Sequence, residues 1–298
     1  MALPAHLSAF ADVLAASLHA EFVSLQPLAG GDNAAVFRAE LDDGRRVAVK
    51  TDRPGAPTMD HETEARGLSW LRESDTVRVP EVLAVAAPGP DRPGVLVLEW
   101  IEESPGHVRT PAGEDAFGRE LAALHRSGAP CFGREDRRTT GSRHLPNEPC
   151  STWAEFQRTQ RLVPLARLAL DAGALDAATV TALESIAERL EELGGPPEPP
   201  ARLHGDLWAG NRLVDRSDHS WLIDPAAHGG HREFDLAMMR LFGGFDERCF
   251  VAYDEANPLA DGWPSRVALH QLAPLVVHAV KFGGSYVDAT KQAVAAYR

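Results

Sequence analysis

Residues 25–50, LQPLAGGDNAAVFRAELDDGRRVAVK, alternate apolar and polar positions around two turn signals, GGDN and DDG. The pattern predicts a strand, a Gly-containing turn, a second strand, a DDG hairpin and a third strand ending at Lys50. Upstream, MALPAHLSAFADVLAASLHAEF reads as an amphipathic helix. After a Pro- and Gly-rich loop, TDRPGAPTMD, the stretch HETEARGLSWLRES places Ala65, Leu68 and Leu71 at helical spacing. VRVPEVLAVA and GVLVLEWIE then read as two more strands. The second is nearly all apolar and is expected to be buried.

From about residue 102 the period changes. GEDAFGRELAALHRSG carries Phe117, Leu121 and Leu124 on one helical face. STWAEFQRTQRLVPLARLAL is a second helical stretch, expected to break or kink near Pro164. DAATVTALESIAERLEEL is a third, with Asp176 placed to cap it. GGPPEPP is a linker, followed by short strands around RLHGDLWAGNRLV and WLIDPAA, and the rest from FDLAMMRLF onward reads as helical. The expected architecture is α+β and two-lobed. A small antiparallel-sheet lobe over residues 1–100 is followed by a larger, mainly helical lobe over 101–298. Ligands commonly bind where two domains meet.

Composition narrows the classes. The chain has 298 residues with 44% apolar and 24% charged positions, ordinary for a globular protein. Lys and Arg total 30 against 43 Asp and Glu, a net charge of −13 that repels phosphate backbones and anionic lipid. Neither nucleic acid nor membrane is an expected partner. An anionic substrate needs local positive charge or a metal against that field. The N-terminal stretch has no basic n-region, and its apolar pattern is interrupted by His6, Asp12, His19 and Glu21, unlike a signal peptide. Cys131, Cys150 and Cys249 are odd in number and show no metal-binding spacing, which fits reduced thiols and a cytoplasmic location. No feature of the sequence specifies an oligomeric state.

The chemistry concentrates in HGDLWAGN, residues 204–211. Asp206 followed five residues later by Asn211 has the spacing of a kinase catalytic loop. Such a loop aims a carboxylate at an attacking hydroxyl and an amide oxygen at the magnesium on the phosphates. Asp206 and Asn211 taken alone would equally suit a turn. Thirteen residues on, Asp224 ends the apolar strand of WLIDPAA, in the place of the metal-bridging kinase aspartate. One Asp and one Asn, with phosphate oxygens and water, are ligands that Mg²⁺ prefers. Upstream, Lys50 of VAVK suits a contact to the α- and β-phosphates, held by a helix glutamate. Glu64 is favoured over Glu62 because Ala65, Leu68 and Leu71 mark the buried face, with Glu64 at its flank. The turn AGGDN brings Gly30, Gly31 and Asn33 within reach of phosphate through backbone N–H groups. The backbone of Glu99 and Ile101, in the connection between lobes, is placed to meet adenine. The chain order of these signals points to Mg·ATP-dependent phosphoryl transfer.

LHGDLWAGN, LIDPAAHGGHREFDLAMMRLFGGF, AYDEANPLADGW and QLAPLVVHAVKFGGSY resemble the fructosamine kinase (ketosamine-3-kinase) family, itself related to the aminoglycoside and choline phosphotransferases. The resemblance runs from about residue 8 to the C-terminus. DLWAGN, HREFDLA and FGGSY are its most specific pieces. It implies transfer of the ATP γ-phosphate to the 3-hydroxyl of a ketosamine, a fructosamine or ribulosamine adduct of a free amine or a protein lysine. The unstable product releases the amine, a deglycation. The resemblance gives Asp206 the role of base, Asn211 and Asp224 that of metal ligands, and Lys50 with Glu64 that of phosphate clamp. It makes Trp208 a platform for the sugar, with a buried Trp as the alternative. It places His231, Asp235 and His278 as candidate substrate contacts, although Asp235 equally suits a helix cap or an anchor for the catalytic loop.

The chain also departs from the family's pattern. Its Gly turn lacks the cysteine of many eukaryotic members, AAHGG replaces an aromatic-rich segment, and Lys281 is a lone charge in an apolar stretch. Two other readings compete. One is phosphorylation of another small alcohol, of aminoglycoside or choline type. The other is a nucleotide-binding pseudokinase, against which the intact Lys50, Glu64, Asp206, Asn211 and Asp224 argue.

Overall fold

The computed structural model describes residues 17–28, 34–53, 60–89, 93–107, 109–136, 139–140 and 145–298. Most of the expected N-terminal helix, and Gly30, Gly31 and Asn33 of the Gly turn, lie outside the described residues. The chain forms two compact units: residues 1–108 with 213–224, and residues 109–212 with 225–298. No helix among the described residues is long and apolar enough to cross a membrane.

The first unit is built on an antiparallel sheet of β1 (Phe22–Pro27), β2 (Ala34–Leu41), β3 (Arg46–Asp52), β4 (Val82–Ala86) and β5 (Val95–Glu99), in the order β1-β2-β3-β5-β4. The DDG hairpin joins β2 to β3, with Gly44 at φ 86° and its N–H donating to the Leu41 carbonyl at 3.0 Å. That left-handed conformation is what glycine tolerates in a tight hairpin. Alternation along β3 sends Val47 and Val49 to one face, where they join Leu25, Ala39, Val95 and Val97 in a core. Lys50 therefore points to the other face, opposite Leu96 in the β3–β5 register. Helix α1 (His61–Arg72) packs on β4 and β5. Its N-cap, Asp60, accepts a hydrogen bond from the Thr63 N–H at 2.9 Å.

Residues 213–224 belong to this first unit although they lie far along the chain. Strands β9 (Arg212–Val214) and β10 (Ser220–Leu222) form a hairpin. Ser104 donates its N–H to Val214 at 2.8 Å, and Leu222 donates to Arg78 at 2.8 Å. These bonds fix the chain just ahead of Asp224.

The second unit is mostly helical: α2 (Pro111–Arg126), α3 (Trp153–Phe156), α4 (Val163–Asp171), α5 (Ala177–Glu188), α6 (Leu190–Leu193), α7 (Glu233–Phe242), α8 (Glu247–Ala256), α9 (Trp263–Phe282) and α10 (Ser285–Ala295). Strands β6 (Thr139–Thr140) and β7 (Leu145–Pro146) make a small ladder, and β8 (Ala201–Leu203) pairs antiparallel with β11 (His228–Gly230). Leu162, Leu165, Leu183, Leu269, Leu272 and Val276 lie at the centre of its core. The break expected near Pro164 is a π-helical turn over Gln157–Leu162, just upstream. Proline lacks an N–H for the α-helical bond, so the hydrogen-bond register loosens before it. Asp176 caps α5 by accepting from the Thr179 N–H at 2.8 Å.

Burial of ionisable groups makes this unit acid-sensitive. Burial pushes His228 and His231 down to about 3 from an ordinary 6.5, against the pull of nearby carboxylates. Burial would raise Glu233, but His270, with its Nε2 3.3 Å away, and hydrogen bonds from Arg266 hold it down to about 2 from 4.5. All three have the same sign: as pH falls, the unfolded chain takes up protons first. The stability they contribute is complete above about pH 6.5 and is lost towards pH 3 for the histidines, and between about 4.5 and 2 for Glu233. Each group changes stability by up to about 1.4 kcal/mol per pH unit inside its window. Urea midpoints should therefore drop steadily from pH 7 to pH 5. A flat profile would mean that these side chains are solvated in the native state.

Candidate active site

Lys50 is buried on β3 and meets two carboxylates in the first unit. Its Nζ lies 2.7 and 2.8 Å from the two oxygens of Glu64, one turn into α1, and 2.7 Å from Asp224 Oδ1. Glu62, the rival partner, is exposed. Burial would push Lys50 down, but the charges of Glu64 and Asp224 outweigh it and raise the ammonium above its ordinary range. Burial pushes Glu64 up, aided by the charge of Asp224 and opposed by Lys50. Two carboxylates around one ammonium leave a local excess of negative charge. Asp224 adopts φ 54°, a left-handed conformation that side chains other than Gly and Asn/Asp seldom take. Its side chain remains 41% exposed.

The loop 204–211 belongs to the second unit and is held from beneath. Asp235, in the first turn of α7, accepts hydrogen bonds from the backbone N–H of His204 at 2.8 Å and of Gly205 at 2.9 Å. Its Oδ2 is 3.3 Å from His125 Nε2, and His125 Nδ1 is 2.8 Å from the hydroxyl of Tyr253. Burial would raise Asp235, yet His125 and the loop N–H groups hold it below the usual carboxylate range. Gly205 adopts φ 81°, and a Cβ there would come within 2.2 Å of the Ala226 carbonyl, so only glycine fits. His204 Nδ1 accepts from the Asp206 N–H at 3.2 Å. The Asn211 amide donates to the Asp206 carbonyl at 2.8 Å and to Asp206 Oδ2 at 3.2 Å. With its nitrogen so engaged, the carbonyl oxygen is the ligand atom Asn211 offers.

The next residue, Arg212, anchors the end of the loop. Its Nη1 lies 2.9 and 3.0 Å from the two oxygens of Glu114 on α2, both side chains being buried, and its guanidinium sits 4.1 Å over the Phe117 ring. Neither this pair nor the His125–Tyr253 support of Asp235 was foreseen from sequence. Their partners lie 98 and 128 residues apart, and no local pattern marks them.

Two expected substrate contacts need correction. Asp235 is fully buried and serves as the loop anchor, the alternative considered for it. His231 is 4% exposed, packed against Trp153 and His270, with its Nδ1 accepting from the Glu233 N–H at 3.3 Å. Neither side chain presents a surface that a substrate can touch. His231, Glu233 and His270 do bring donor atoms within 4.8 Å of one another. Both Glu233 oxygens, however, are bonded to Arg266 at 2.5 and 2.9 Å, so a cation already occupies that carboxylate. Trp208 is exposed, as a platform would require, and His278 is half-buried among aromatic rings. Glu99 closes β5 with its N–H donated to Glu81 at 2.9 Å, and Ile101 is buried two residues beyond.

The fructosamine kinase family model matches residues 7–297 of the chain. The chain belongs to that family. A probable ketoamine kinase of Thermus thermophilus is 35% identical over 94% of this chain and 96% of its own. The crystal structure of a protein from Thermobifida fusca described as a "putative fructosamine-3-kinase" superposes with a TM-score of 0.85 and 40% identity, covering 96% of this chain and 97% of that one. A thermostable mutant of an aminoglycoside phosphotransferase shares the fold alone: TM-score 0.62 at 15% identity over 96% of both chains. The fold is therefore α+β and protein-kinase-like, and the phosphate donor of such a family is ATP.

Proposed function

We propose that the chain transfers the γ-phosphate of Mg·ATP to the 3-hydroxyl of a ketosamine, a fructosamine or ribulosamine adduct. The observation that carries this reading is Lys50 held at 2.7 Å by both Glu64 and Asp224, in a chain that matches the fructosamine kinase family almost end to end. The first unit is read as the nucleotide-binding lobe. In it Lys50, fixed by Glu64, neutralises the α- and β-phosphates, while Glu99 and Ile101 meet adenine through their backbone. The second unit is read as the catalytic and substrate-binding lobe.

We read Asp224, whose carboxylate is 41% exposed, and Asn211, whose amide nitrogen is already engaged, as oxygen ligands of the kind magnesium takes. The metal supplies charge neutralisation on the phosphate oxygens. Asp206 accepts a hydrogen bond from the 3-hydroxyl and aims its oxygen at the γ-phosphorus. The new O–P bond forms as the bond to the ADP oxygen breaks. A sugar hydroxyl is far more basic than a carboxylate, so the proton passes to Asp206 late. Phosphate at C3 lies beside the C2 carbonyl. Enolisation towards C1 then expels it, and the resulting imine hydrolyses to free the amine. Such chemistry belongs in the cytoplasm with ATP, where the three unpaired thiols of this chain are at home.

The test is ADP release with Mg·ATP across fructosamine, ribulosamine, aminoglycoside, choline and free-sugar acceptors. Turnover restricted to ketosamines is expected. Turnover on an aminoglycoside or choline alone would overturn the substrate, and ATP binding without any turnover would turn the reading towards a pseudokinase.

A further inference from the structure

Glu114 sits in the first turn of α2, and two separate supports of the catalytic loop end on its carboxylate. One is Arg212, the residue after Asn211, whose Nη1 lies 2.9 and 3.0 Å from the two oxygens. The other is the turn over residues 243–246, where the Asp246 N–H donates to Glu114 Oε2 at 3.4 Å. That turn presses on the loop: Gly244 adopts φ 83°, and a Cβ there would come within 2.6 Å of Ala209 Cβ. Ala209–Asn211 forms one 3-10 turn, and the Arg212 N–H that follows donates back to the Ala209 carbonyl. Glu114 therefore holds both flanks of the turn that carries Asn211, one through Arg212 and one through Gly244. Glu114 and Arg212 are 3% and 4% exposed. A buried ion pair adds little stability over apolar side chains of the same size. The Arg212 guanidinium lies 4.1 Å from the Phe117 ring centroid and 5.7 Å from that of Phe245, surroundings that would accept an apolar side chain. What the pair supplies and a methionine would not is a fixed direction.

We propose that Glu114 is a positioning residue that sets how tightly a divalent cation is held, by fixing the bearing of the Asn211 oxygen through Arg212 and the 243–246 turn. The inference rests on the reading of Asn211 as a metal ligand given above. From the front, the Asn211 amide nitrogen is tied to the Asp206 carbonyl and to Asp206 Oδ2, which settles the end of the amide that is offered. From behind, Glu114 settles where the main chain carrying that amide stands. Magnesium asks for near-ideal octahedral distances of about 2 Å. A drift of the turn by a few tenths of an ångström thus weakens metal binding before it weakens the fold. Residues that orient a metal ligand without touching the metal change its affinity by about 10–100-fold when replaced.

Mn²⁺ is the probe, added to the protein with AMP-PNP and followed by the loss of its free EPR signal. Glu114→Gln/Arg212→Met removes both charges and keeps the volume, so it should melt close to the wild type. It should nevertheless bind Mn²⁺ about tenfold more weakly and need a matching rise in Mg²⁺ for half-maximal kcat. Glu114→Asp keeps both charges, withdraws the carboxylate by one methylene and stands in if the double variant does not fold. It should weaken Mn²⁺ binding in the same direction by a smaller factor. Arg248→Ala breaks the exposed Asp115–Arg248 pair, 3.0 Å, which joins the same two helices, α2 and α8. It should leave Mn²⁺ affinity unchanged. Wild-type affinity in either Glu114 variant that folds, or an equal weakening by Arg248→Ala, would overturn the proposal while leaving the kinase reading intact. Should the wild type bind Mn²⁺ no better than Asn211→Ala, the metal role of Asn211 falls, and this inference with it. The proposed function itself falls separately, on the absence of turnover with any ketosamine.

Discussion

Asp206→Asn is expected to lower kcat by about two to four orders of magnitude while ATP still binds. The substitution preserves shape and leaves one oxygen that can accept from the Asn211 amide, as Asp206 Oδ2 does now at 3.2 Å. What it removes is the negative charge that orients the attacking hydroxyl and finally holds its proton. The loop should survive, because its supports act on the main chain. Asp235 binds the N–H groups of His204 and Gly205, and Asn211 binds the Asp206 carbonyl. Single-turnover ADP formation, with ATP affinity and a thermal melt measured on the same sample, separates chemistry from folding. A loss below about tenfold with the fold intact would remove Asp206 from contact with the reacting hydroxyl.

How the sequence reports each part of the molecule depends on the range of the interaction. Local patterns carried far. Period-two alternation in residues 46–50 turns Lys50 away from the Val47–Val49 core, and helical spacing in residues 61–72 puts Glu64 at the flank that faces it. The Asp176 cap and the break before Pro164 are likewise decided within one helical turn. Interactions between distant segments were not legible. Nothing in residues 213–224 announces that Leu222 will bond to Arg78 and Ser104 to Val214, making this stretch part of the first unit and not of its sequence neighbours.

Polar residues near the motif illustrate the same limit. HREFDLA reads as a run of available chemistry, so His231 and Asp235 were natural candidates for substrate contact. Their partners decide otherwise: His125 arrives from α2, while Trp153 and His270 come from α3 and α9. A buried carboxylate with its hydrogen bonds filled looks, in sequence, the same as one facing a cleft. A cluster of aromatic rings is the converse case. Trp208, Phe242, His278, Phe282 and Tyr286 come from four separate elements, and only packing puts them in a row.

Asp235→Ala should cost about 3–5 kcal/mol of stability and also slow catalysis in whatever fraction remains folded. The reasoning starts from what would be left behind. Two backbone N–H groups, of His204 and Gly205, lose an acceptor at 2.8 and 2.9 Å, and His125 loses the carboxylate beside its Nε2. All of this happens where Asp235 is 0% exposed, so water cannot replace the missing oxygens without opening the structure. Asp235→Asn is milder in shape but sets an NH₂ group against one of three donors, and should fall between alanine and wild type. The effect on rate follows from the chain geometry. His204 and Gly205 immediately precede Asp206, and Gly205 is confined to φ 81° by the Ala226 carbonyl, so losing the anchor frees the carboxylate from its fixed bearing. Lys50, Glu64 and Asp224 belong to the other unit, so the KM for ATP should move far less than kcat. Urea titration and steady-state kinetics at a temperature where the variant stays folded would test both parts. A variant with normal kcat despite the loss of stability would make Asp235 a support for the fold and not for the catalytic loop.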